Sequence, residues 1–81
     1  MFINKAPDGR NNLCGIKVAK FRKELGLSQK GLADQLQLIG LDIDKNAIQR
    51  IESGQRFVTD IELLYFAKLF HKTIDAMLDS I

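Results

Sequence analysis

The 81-residue sequence predicts an all-α fold, a compact five-helix bundle. Three observations predict it. Apolar residues recur at spacings of three and four, with no strand-like alternation longer than a few residues. A glycine, or a Ser, Thr, Asp or Asn suited to capping, interrupts the chain at short intervals. The length, with 46% apolar residues, supports one hydrophobic core and not two.

Residues 1–12, with Pro7, Gly9 and Asn11, read as a flexible N-terminal arm, and residues 13–81 as the folded domain. Asn12 is suited to cap a first helix that runs to about Leu25. In it Cys14, Val18, Phe21 and Leu25 make one apolar stripe, while Lys17, Lys20 and Lys23 take the other face. Gly26 ends this helix and Ser28 caps the second, whose buried side is expected to be Leu32, Ala33, Leu36 and Ile39. Gly40 stops it, and a Schellman ending there would fold Leu41 back onto Leu36. Asp44 caps a short third helix, Lys45 to Ser53, with Ile48 and Ile51 inward and Lys45, Asn46, Gln49 and Arg50 outward. Gly54 closes it. After the loop Gln55 to Val58, Thr59 and Glu62 form a Thr-x-x-Glu capping box for a fourth helix reaching about His71. Thr73 caps a fifth that ends near Leu78. No internal repeat, low-complexity tract or dividing linker interrupts this series.

Composition removes several classes of function. With one cysteine, Cys14, and one histidine, His71, there is no intramolecular disulfide and no expected metal site or cofactor. No nucleophile–base pair, phosphate loop or small-molecule site is evident; Asp42 and Asp44, two apart, are explained by a turn and a helix cap. An enzyme is not expected. The first 13 residues lack the apolar run of a secretory signal, and no stretch of about 18 apolar residues occurs. A reducing cytoplasm and no membrane association are the expectation. The net charge of +2 conceals an asymmetry: Met1 to Gly31 holds seven Lys/Arg and two acids, whereas Leu32 onward holds five and eight. That distribution points to an anionic partner for the first half.

From Val18 to Leu78 the pattern resembles the DNA-binding domain of the phage repressor and Cro type, the Xre family, also called lambda repressor-like. Four pieces carry the resemblance in order: Val18, Phe21 and Arg22; Gly26-Leu27-Ser28-Gln29 followed by Leu32-Ala33; Ile48-x-x-Ile51-Glu52-x-Gly54; and the run Leu63 to Phe70. Ala33 is small where helix 3 crosses helix 2, and Ile48 and Ile51 pin helix 3 from beneath. One departure is large. Leu32 to Glu52 is about five residues longer than the family spacing, which is assigned to an extra turn of helix 2 and a packed Leu41 to Ile43 connection.

The resemblance implies a helix-turn-helix domain whose third helix enters the major groove of double-stranded DNA. Lys45, Asn46, Gln49 and Arg50 then face base edges: Arg50 or Lys45 donates to guanine, and Asn46 or Gln49 pairs with adenine. Gln29 takes the family position that reaches a phosphate, next to the backbone N–H groups of Ser28 to Lys30. Lys30, Gln55 and Arg56 are flanking phosphate candidates. Lys5 and Arg10 in the arm could wrap the backbone or enter a minor groove, although plain disorder of the arm is the preferred reading. Arg22 and Glu52 take the family positions of an ion pair tying helix 1 to helix 3.

The fourth helix, from Ile61 to Phe70, is apolar nearly all round and needs cover on more than one side. Helix 1 and helix 5, through Ile74, Met77 and Leu78, could supply it. A homodimer could also, with Tyr65, Leu69, Met77 and Ile81 as interface residues, matching the paired half-sites of helix-turn-helix proteins. The primary reading is a sequence-specific transcriptional regulator. The alternative is a protein-interaction module or antitoxin that docks through the helix-4 and C-terminal surface.

Overall fold

The computed structural model describes residues 4–79. Five helices follow in order: α1 (Gly15–Glu24), α2 (Gln29–Leu38), α3 (Lys45–Glu52), α4 (Asp60–Phe70) and α5 (Ile74–Leu78). The described residues contain no strand. α1 and α2 both pack on α3 from the inner side, and α4 closes the opposite side against α1, α2 and α5.

The core is built from inward positions of every element: Val18 and Phe21 of α1, Leu32, Ala33 and Leu36 of α2, Ile48 and Ile51 of α3, Phe66, Ala67 and Phe70 of α4, and Met77 of α5. Phe70 joins the α1 and α4 sides, its ring centroid 5.7 Å from Phe21 and 6.3 Å from Phe66. The expected packed connection is present. Leu41 and Ile43 are buried, and Gln37 Nε2 donates to the Ile43 carbonyl at 2.8 Å. The link from Ile39 to Asp44 nevertheless exceeds the three or four residues usual between the two helices of this motif. α2 itself ends at Leu38, so its length accounts for less of the surplus than the connection does.

The first four helices end in the same way. The Leu27, Leu41, Gln55 and Lys72 amides donate to the carbonyls of Arg22, Leu36, Arg50 and Ala67, five residues back. The Gly26, Gly40, Gly54 and His71 amides donate to those of Lys23, Gln37, Ile51 and Lys68. This is the Schellman pair of bonds, expected only at Gly40. Its pivot residue must adopt positive φ; Gly40 does so at 109° without a side-chain penalty, whereas His71 does so at 54° with one.

Capping follows the sequence closely. Ser28, Asp44, Thr59 and Thr73 each accept from the backbone amide three residues on, and Thr59 with Glu62 completes a reciprocal box. Asn12 Oδ1 accepts from the Gly15 amide at 2.8 Å, so it performs its expected role while the regular helix starts at Gly15.

Several expectations need correction. Leu25 and Ile39 are exposed, not part of the buried stripes, because each lies one residue beyond the last helical residue, where the chain has left the register of its apolar face. Met77 is fully buried and cannot form an interface, because α5 folds it under α4. Ile81, the other C-terminal interface candidate, lies outside the described residues, as do residues 1–3 of the expected arm. Over Arg10 to Asn12 the arm is docked: Asn12 is buried and the Asn11 amide donates to the Gly54 carbonyl at 2.8 Å. Cys14 is buried, and burial pushes its thiol up to about 11, the chemistry of an inert packing residue.

Candidate nucleic-acid interface

α3 divides sharply. Ile48 and Ile51 are fully buried, while Lys45, Asn46, Gln49 and Arg50 are exposed. Asp44 Oδ1 accepts from the Ala47 amide at 2.8 Å and fixes where the helix begins. Among the described residues the side chains of Lys45, Asn46, Gln49, Arg50 and Gln55 make no hydrogen bond or ion pair within the protein. They are solvated donors and acceptors on a rigid element, the state in which base-edge or phosphate contact costs least reorganisation.

The surface beside this helix is concave. One hollow of ≈ 540 Å³ is lined by Asp44, Asn46, Ala47, Gln49, Arg50 and Arg56. A second, of ≈ 500 Å³, shares Arg50 and Arg56 with it and adds Gln55 and Phe57. Both open widely to solvent, unlike an enclosed small-molecule cavity, and the first is lined mainly by polar atoms.

Beneath the helix lies the expected ion pair. Arg22 Nε donates to Glu52 Oε2 at 2.7 Å and Arg22 Nη2 to Glu52 Oε1 at 3.1 Å, with the two side chains 12% and 10% exposed. Arg22 Nη1 also donates to the Leu27 carbonyl at 2.7 Å, so one guanidinium joins α1, the α1–α2 turn and α3. Gln29 enters this network. Its Nε2 donates to Glu52 Oε1 at 3.1 Å, which ties the amide to α3, whereas the sequence expectation turned it toward a phosphate. An ion pair so nearly buried leaves carboxylate lone pairs to satisfy, and Gln29 satisfies one.

Two other expected contacts are also engaged. Arg56 is forked onto Glu62, with Nη1 to Oε1 at 2.9 Å and Nη2 to Oε2 at 2.8 Å, and Nη1 also donates to the Phe57 carbonyl at 3.1 Å. The Arg56 hydrogen bonds, helped by the Thr59 amide, hold the Glu62 carboxyl below its ordinary range although burial opposes this. Lys30 pairs with Asp34 at 3.1 Å on the surface, a contact easily exchanged for another anion. Ser28 Oγ accepts from the Gly31 amide at 2.9 Å as a cap. The outward set is therefore concentrated on α3 and Gln55, while Gln29 and Arg56 hold the frame.

Sequence reasoning missed the docked segment before α1. Arg10 Nη2 donates to the Ile51 and Glu52 carbonyls at 3.3 and 2.6 Å, and Asn12 Nδ2 to those of Ile51 and Arg56 at 3.0 and 2.8 Å. Only Gly15 and Gly54 could have signalled it, because a Cβ on either would collide with this segment or its acceptors.

An all-helical bundle, a helix pair capped at both ends and a polar outer helix face over a buried ion pair define a helix-turn-helix DNA-binding domain. A family model described as helix-turn-helix matches residues 18–76, and the chain belongs to that family, in its Xre-like branch of DNA-binding regulators. Comparison with curated proteins and with solved structures gives no match. No helix among the described residues is long and apolar enough to cross a membrane.

Proposed function

We propose that this protein is a sequence-specific transcriptional regulator that acts by occupying an operator, with α3 and Ser53 in the major groove. The observation that carries the reading is the row of four exposed, internally unpaired polar side chains on α3, Lys45, Asn46, Gln49 and Arg50. Asn46 and Gln49 suit adenine, Lys45 and Arg50 suit guanine, and each good pair contributes about 1–3 kcal/mol of discrimination. Gln55, Lys30 and the α2 N-terminus at Ser28 and Gln29 flank them as phosphate contacts, with Arg56 reaching a phosphate only by sharing its guanidinium with Glu62. The protein acts in the cytoplasm as a homodimer, each copy reading one half-site.

Selection of bound sites from a random duplex pool tests this. The expected result is an enriched motif in two half-sites about one helical turn apart, with affinity falling steeply as salt rises. A pool that stays random after repeated rounds would overturn it.

A second reading is favoured by one observation. Ile61 and Leu64 of α4 are 62% and 44% exposed and share one helix face with half-buried Tyr65, an apolar patch of the kind that marks interaction surfaces. A protein-interaction module or antitoxin would dock there, and its DNA binding would be weak and insensitive to salt.

A further inference from the structure

A helix of eight residues has few internal hydrogen bonds, and the carbonyls of its last turn have no partner further along it. In α3 the Gln49, Arg50 and Ile51 carbonyls find amides in the turn that follows, whereas Glu52 O and the carbonyls of that following turn are met by the segment preceding α1, which also adds donors to Ile51 O. Arg10 Nη2 donates to Ile51 O and Glu52 O, Asn12 Nδ2 to Ile51 O and Arg56 O, and Asn11 Nδ2 to Gln55 O at 2.9 Å. The Asn11 backbone amide takes Gly54 O. Four acceptors in sequence order, 52, 54, 55 and 56, thus find donors within three consecutive residues some forty positions earlier.

The fit is close. A Cβ on Gly54 would lie 2.9 Å from both Arg10 Cγ and Cζ, and one on Gly15 would meet the Ile51 carbonyl, Arg10 Nη2 and Asn12 Oδ1. The guanidinium therefore lies in a slot between two glycines. It also places a positive charge at the carbonyl end of α3, where the helix dipole favours it. Ala6 and Arg10 close a turn of their own, the Ala6 amide donating to Arg10 O at 2.9 Å, so Arg10 is presented from a folded strap. The donors, residues 10–12, and the turn from Ala6 that presents them all precede the matched residues 18–76.

We propose that Arg10 is a positioning residue for DNA recognition: its Nη2, shared between the Ile51 and Glu52 carbonyls and supported by Asn11 and Asn12, fixes the C-terminal end of α3 and thereby the direction in which Asn46, Gln49 and Arg50 point. The Arg22–Glu52 pair holds the same end of the helix by a side chain, and the strap holds it by the backbone. The proposal rests on the operator-binding reading for its functional consequence, while its structural half is independent of DNA.

The test compares the full chain with its Arg10→Met and Arg10→Lys variants. Amide hydrogen exchange is read first, without DNA. Arg10→Met is expected to speed exchange of the Ser53, Gly54 and Gln55 amides about tenfold, the scale of one charge-assisted hydrogen bond. Amides in the middle of α1 and α4 are expected to change less than about threefold. Affinity is read second, on the selected duplex and on a scrambled one. Arg10→Met should weaken the selected duplex about five- to tenfold and the scrambled one less than about twofold, since positioning affects base contacts more than phosphate contacts. Arg10→Lys should recover neither fully, because an ammonium lacks the flat guanidinium that fits the slot between Gly15 and Gly54. Unchanged exchange at 53–55, a uniform rise across all helices, or full recovery by lysine would each overturn the proposal. Equal affinity of the unmodified protein for both duplexes would refute operator recognition instead and leave the exchange result standing.

Discussion

Replacing Arg22 by alanine should be among the most damaging single changes in this domain. The guanidinium makes two bonds to Glu52 and one to Leu27 O, none longer than 3.1 Å, with its side chain 12% exposed. Removing one partner of a buried pair costs about 3–5 kcal/mol, most of it the cost of leaving the other charge buried. Gln29 remains as one donor to Glu52 and lowers the figure, so the expected loss is about 3 kcal/mol. A domain of this size has roughly 4–12 kcal/mol of stability in total. At about 4–8 °C per kcal/mol the melting temperature should fall by roughly 12–24 °C, read by far-ultraviolet circular dichroism. Arg22→Met combined with Glu52→Met should recover most of that loss, since an apolar pair of similar volume often replaces a buried ion pair at little cost. An Arg22→Ala melt within about 3 °C of wild type would refute the reasoning, by showing that Glu52 is hydrated well enough without its partner.

Three further outcomes are expected. His71→Gly should raise stability by about 0.5–1 kcal/mol, because it removes the side chain from a left-handed backbone site at an exposed helix end; a lower melting temperature would contradict this. Because the folded protein holds Glu62 below its ordinary value, the stability this contributes is complete above the unfolded value of about 4.3 and is lost as pH falls through the folded value. Urea melts of Glu62→Gln should therefore show a shallower acid decline than wild type, and parallel curves would count against the Arg56 clamp. Asn46→Ala and Arg50→Ala should each relax preference at one base pair of the selected site by about 1–3 kcal/mol, read by competition binding.

The helices and most of the core were legible because their causes are local. Capping side chains, pivot glycines and apolar spacing act within a turn or two, and Ser28, Gly40, Asp44 and the Thr59–Glu62 box each stand where the sequence puts them. The Arg22–Glu52 pair was legible only through the resemblance, since nothing local connects residues 30 positions apart. What local pattern could not reveal was competition between partners. Gln29 and Arg56 look as free in sequence as Gln49 and Arg50, yet nearby carboxylates engage the first two and leave the second pair in solvent. The docked strap was hidden for a similar reason: Arg10, Asn11 and Asn12 have the composition of a loop, and only the folded backbone of residues 51–56 supplies their acceptors.

The terminators at Gly26, Gly40, Gly54 and His71 make each helix a closed unit, with its final carbonyls satisfied within its own turn or nearby and the next helix begun by its own cap. A connection between two such units can lengthen without pulling either out of shape. Closing a longer flexible loop adds only about 0.6 kcal/mol for each doubling of its length. The stretch from Leu41 to Ile43 shows how such growth is absorbed: two of its three residues are apolar and enter the core, so added chain becomes added packing. Spacing between the two central helices is thus a variable that evolution or design can adjust, provided the reversal at Gly40 and the restart at Asp44 are kept.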